Sequence, residues 1–104
     1  MALIVRMLAW VALLAGLSSS AAAGQEHLAV IERECSRQPR MAAESCRCLR
    51  DQAAKLKEGQ QAFVAALVLK DKQAQAMAQQ KLSIQEVADA VSFLTAASSQ
   101  CSGR

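Results

Sequence analysis

Cys35, Cys46, Cys48 and Cys101 are the side chains of this 104-residue sequence best suited to chemistry. The densest cluster is Cys46-Arg47-Cys48, because two thiols one residue apart chelate a soft ion such as copper or zinc when the backbone is extended. Met41 and His27 are the available helpers for a periplasmic copper or redox protein built on Cys46 and Cys48. A helical backbone removes that option. At 100° per residue the two sulfurs point about 200° apart, so one ion cannot take both and they cannot bond each other without severe strain. Each then needs a distant partner, Cys35 or Cys101, and the expected cofactor and metal content is none.

Four cysteines allow three connectivities. Folding a first helix back on a second around Gln38 brings Cys35 nearer the level of Cys46, which favours Cys35–Cys46 with Cys48–Cys101. The swapped pairing, Cys35–Cys48 with Cys46–Cys101, stays open. Two bridges require an oxidising compartment.

Beyond the thiols the catalytic inventory is poor. His27 is the only histidine, and no Ser, Asp or Cys beside it reads as a nucleophile with its base. The nine acids are scattered, with no pair placed as general acid and base. There is no glycine-rich phosphate loop, and Phe63 and Phe93 alone do not make a stacking platform for nucleic acid. An enzyme is not expected. Arg33, Arg37, Arg40, Arg47 and Arg50 crowd one window against Glu34 and Glu44, which suggests a basic surface. Arginine forks favour carboxylates or phosphates, so the expected partner is a protein or an anionic component of the cell envelope. Phe93 lies off the apolar stripe of its helix and is a second candidate binding surface.

The elements that position these residues begin with a leader. Met1–Arg6 carries one positive charge, Met7–Leu17 is apolar, and Ser18–Ala23 ends in Ala21-x-Ala23. That is the plan of a signal peptide, with cleavage expected after Ala23. Its apolar run is short of the roughly 20 residues that span a bilayer, so no membrane span is expected in the mature form. The expected organisation is a signal peptide at 1–23 and a helical domain at 24–104, exported to the periplasm or secreted. The whole chain is 53% apolar with a net charge of +3, and the leader takes much of the apolar share, including Trp10. An alanine-diluted domain of the remaining size has a thin core and needs staples.

The spacing predicts an all-α fold, a small four-helix bundle stapled by two disulfides. The first helix covers about Gln25–Arg37, with Leu28, Ile31 and Cys35 inward. The second starts at Pro39, suited to a first helical position, and presents Met41, Ser45, Leu49, Gln52 and Leu56 on one stripe. Lys55 and Lys57 in its last turn and Gly59 beyond it predict its stop. The third covers about Gln61–Lys81, most buried in its first half, with Ala74, Met77 and Ala78 inward further on. Ser83-x-x-Glu86 is a capping box that opens the fourth at Ile84, with Leu82 and Val87 as a staple. That helix places Ile84, Val87, Val91, Leu94 and Ser98 on one stripe, reaches Cys101 and stops at Gly103.

Cys35, then Cys46-Arg47-Cys48, an amphipathic helix and a cysteine closing the last helix together resemble a loosely defined set of small Cys-rich exported helical proteins of proteobacteria. Secreted lysozyme inhibitors differ, because their closing Trp-containing segment has no counterpart in Ala96-Ala97-Ser98-Ser99-Gln100. The expected function is that of a small exported non-enzymatic binding protein of the inhibitor, immunity or envelope-adaptor kind. The alternatives are the copper or redox protein above and a chaperone-like envelope stress protein, which shares size, compartment and helical class.

Overall fold

The computed structural model describes residues 24–102; the leader, its cleavage site at Ala23 and the expected stop at Gly103 lie outside them. Five helices make up the described chain, and no strand occurs in it. They are α1 at 24–36, α2 at Ala43–Ala53, α3 at Glu58–Leu69, α4 at Lys72–Gln80 and α5 at Ile84–Cys101. The expected all-α class holds, but the expected count of four does not. None of the described helices is long and apolar enough to cross a membrane.

The extra helix comes from a break inside the predicted third one. Lys70 adopts the left-handed conformation, with φ of 58°, and its N–H and that of Asp71 close back on Leu67 and Ala66 carbonyls. This is the reversal that glycine usually provides at a helix end. Asp71 then accepts from the Ala74 N–H at 3.1 Å and starts α4 as its N-cap. Gln75 ties the two helices across the break, donating from Nε2 to the Ala66 carbonyl at 3.3 Å.

The second helix is shorter than expected at both ends. Pro39 is not its first residue; it sits inside a turn closed by the Met41 N–H on the Gln38 carbonyl at 3.2 Å. The second position of such a turn suits proline, whose fixed φ matches it. At the other end α2 stops at Ala53, so Lys55, Lys57 and Gly59 do not terminate it. The chain instead tightens through Lys55 and Leu56, and Gln61 Nε2 donates to the Leu56 carbonyl at 3.0 Å. Gly59 belongs to the first turn of α3. A Cβ there would stand 3.0 Å from Leu82 Cδ2, so close packing against the start of α5 is what a larger residue would disturb.

The start of α5 follows the expected capping box. Ser83 N–H donates to Glu86 Oε1 at 2.9 Å, and Glu86 N–H donates to Ser83 Oγ at 3.1 Å. Gln60 links this turn to α3: its Oε1 accepts from the Lys57 N–H, and its Nε2 donates to the Glu86 carbonyl at 3.0 Å.

The core gathers Ile31 of α1, Cys46, Leu49 and Ala53 of α2, Phe63, Val64 and Ala65 of α3, and Ala90 and Ala97 of α5. Alanine lets the helix axes approach, and Met41 and Leu56 still pack on this core although both lie outside α2. Val87 and Leu94 of the expected α5 stripe pack on this core, but the buried face is rotated from the rest of that stripe. Ala90, Ala97 and Cys101 are buried, whereas Ile84 is 91% exposed and Val91 is 48% exposed. The short side chains define the face because the bridge at Cys101 pins the end of α5 to α2.

Candidate functional site

Both bridges radiate from α2. Cys46 is bonded to Cys35 of α1, with 5.5 Å between Cα atoms, and Cys48 to Cys101 at the end of α5, with 5.7 Å between them. Their opposite directions follow from the helical turn between positions 46 and 48. No free cysteine occurs among the described residues, and neither does a cluster of three or more His, Cys, Asp or Glu able to hold a metal. Cys46 and Cys48 are thus each bonded to a different partner and are not joined to each other. Met41 is committed to the core, and His27 lies elsewhere, half-buried on α1.

The arginines are less free than the sequence window implies. Arg50 reaches Glu32 of α1 at 2.8 Å, while Arg37 and Arg33 approach Glu34 at 3.5 and 3.8 Å. Glu32 lies one residue outside the arginine window, so a count along the chain misses the partner that the helical hairpin supplies. Arg47 shares an open hollow of about 320 Å³ with Glu44, Cys48, Asp51 and Gln52. Arg40 is exposed at the turn. The corner between α1 and α2 is consequently of mixed sign.

Phe93 does not form an exposed patch. It is half-buried and packs against the core, on the side where Ala90 and Ala97 are buried, because the inward arc of α5 is rotated toward it. Met77, expected to face inward, is instead 57% exposed, and Leu69 at the end of α3 is 43% exposed. Both line a groove of about 410 Å³ between α1, α3 and α4. Val30, Ala62, Ala66 and Ala78 form much of its apolar wall, and His27 and Lys81 contribute polar edges. The sequence signal for this groove is the alanine run through α3 and α4, where small side chains fail to fill the space between helices.

One carboxyl is displaced from its ordinary behaviour. The backbone N–H of Ser83 holds Glu86 below the usual carboxylate range, with further help from the Ser83 hydroxyl and Lys57 and opposition from partial burial. This is the chemistry of a helix start, with Lys57 Nζ 3.4 Å from Glu86 Oε2.

Fold and site together define a small all-helical domain, cross-linked at both edges of its second helix and open along one apolar groove. No family model, curated protein or solved structure matches the chain.

Proposed function

We propose that this chain is a small exported binding protein of the inhibitor, immunity or envelope-adaptor kind, with no catalysis of its own. The apolar groove between α1, α3 and α4 carries the reading. Grooves with apolar walls and a few polar edges are the usual form of a docking surface. Here two large apolar side chains, Leu69 and Met77, stand exposed beside it. The two disulfides support export, and they hold α1, α2 and α5 in register without a large core. The arginine corner is a second contact surface for an anionic envelope component, centred on Arg40 because Arg33, Arg37 and Arg50 have glutamate partners.

Affinity capture from an envelope extract tests the proposal with two variants. Met77→Asp places a charge on the groove, and changing Arg33, Arg37, Arg40, Arg47 and Arg50 to Gln discharges the corner. Loss of the captured partner with Met77→Asp, at unchanged melting temperature, supports the groove reading. A partner lost only with the five-Gln variant moves the contact to the corner, and capture indifferent to both removes the proposal.

A further inference from the structure

We propose, on the reading that the groove between α1, α3 and α4 is the binding site, that its ligand is a lysophospholipid with a zwitterionic head. The single tail lies along the alanines, and the head sits between Glu26 and Lys81.

The groove has one polar end and one apolar end, as the contacts between its helices show. Gln75 of α4 reaches the Ala66 carbonyl, and Leu82, just past α4, meets Gly59, so α4 runs back along α3 and Lys81 stands level with Gly59. A Cβ on Gly24 would lie 3.7 Å from Gln61 Oε1, and Cys35 shares a depression with Leu67 and Val68, so α1 runs along α3 in the same direction. Glu26 and His27, in the first turn of α1, therefore border the same end as Lys81. Val30, Leu69 and Ala74 line the other end, with Met77 between the two. A ligand with an apolar tail and a polar head matches that order.

The girth of the groove selects a chain over a helix. Its α3 wall, from Gly59 to Leu69, is about 15 Å long. Spread over that length, the volume of about 410 Å³ is a cross-section of roughly 27 Å². A peptide helix, about 10 Å across, needs roughly three times as much. One hydrocarbon chain fits, and at about 1.2 Å per bond an extended tail of about twelve carbons spans the length.

Charge selects the head. Neither Glu26 nor Lys81 has an ion-pair partner among the described residues. Lys57 and Glu58, next to Gly59 in the chain, do not line the groove, and Lys57 is paired with Glu86. An anionic head is attracted by Lys81 and opposed by Glu26, and a cationic head meets the reverse. A head that carries both a phosphate and an ammonium complements the two together. A phospholipid that has lost one of its two acyl chains is such a molecule.

The test titrates the full chain, recovered from an exporting cell with both bridges formed, with dodecylphosphocholine below its micelle-forming concentration, followed by calorimetry. Saturable one-to-one binding is expected. Dodecanoate and dodecyltrimethylammonium should bind about two- to fivefold more weakly. Glu26→Gln should weaken the zwitterion by about the same factor and strengthen dodecanoate, whereas Lys81→Gln should weaken both. Affinity should rise with tail length up to about twelve carbons and level off beyond. Met77→Asp should weaken binding at least about tenfold at an unchanged melting temperature.

Absence of saturable binding overturns the proposal, as does affinity that ignores the head or climbs with tail length without levelling. If no amphiphile binds but Met77→Asp still releases a captured protein, the ligand is wrong and the docking groove stands. Amphiphile binding indifferent to Met77→Asp removes the groove itself. Dimers seen by sedimentation and lost with Met77→Asp would put a second copy in the groove and also overturn the proposal. The head and tail series use the unaltered chain, so they decide the matter even where a substitution impairs folding.

Discussion

Ile31 is fully buried in the core, and Ile84, the same side chain, is 91% exposed at the start of α5. Truncating the two should therefore separate burial from residue type. Ile31→Ala removes packing from a core of few large side chains and should cost about 2–4 kcal/mol. Ile84→Ala should stay within about 0.5 kcal/mol. Denaturant melts of the two variants measure both, and equal losses would contradict the rotated face of α5. At the same scale Glu86 sets a pH dependence. Its carboxyl titrates lower in the folded chain than in the unfolded one, chiefly because it accepts from the Ser83 N–H. On acidification the unfolded chain binds this proton first. The contribution is thus complete above the ordinary carboxylate pKa and is lost as pH falls through the folded value. Thermal melts from pH 7 to 3 should show a shallower acid loss for Glu86→Gln than for the parent. Parallel curves would leave the capping carboxylate without a role in stability.

Among the elements, Lys70 is the residue whose conformation and identity disagree. It closes α3 at a φ of 58°, a region that costs most side chains energy and glycine none. Lys70→Gly should stabilise the protein by up to about 1 kcal/mol, read as a rise in melting temperature, and an unchanged or lower value would mean that the lysine side chain compensates for its backbone. The same residue explains why the helix count was not legible in the sequence. Lysine carries no breaker signal, and Asp71 reads as a cap only once the chain has turned before it. Pro39 and Gly59 carried strong signals for the wrong jobs. Proline suits the second position of a turn as well as a first helical position. Glycine answers a close approach as well as a helix end, and only the position of Leu82 distinguishes them. By contrast, Ser83 and Glu86 declare the start of α5 from local chemistry alone, and the structure keeps them in that role. The stripe of α2 was readable through Ser45 and Leu49, but the groove was not, since alanine is compatible with both a filled and an unfilled face.

At the scale of the whole molecule, the two bridges divide the task of closing the fold. Cys35–Cys46 spans 11 residues and fixes one corner, while Cys48–Cys101 spans 53 and encloses α3, α4 and nearly all of α5. The chain-entropy model assigns them about 3 and about 4 kcal/mol respectively, each large beside the stability of a small domain. The longer loop should therefore be the costlier to open at equilibrium. Pairwise replacement by alanine tests this ordering. Denaturant melts should place Cys48→Ala/Cys101→Ala about 1 kcal/mol below Cys35→Ala/Cys46→Ala, if the native packing is otherwise kept. Hydrogen exchange gives the loss a location. Without Cys48–Cys101 the last two turns of α5 should lose protection ahead of α3, whose buried segment, with Phe63 and Val64, retains its neighbours. Uniform loss of protection through α3 and α5 would instead mean that the bridge closes the molecule as one cooperative unit. The end of α5 would then have no separate opening step.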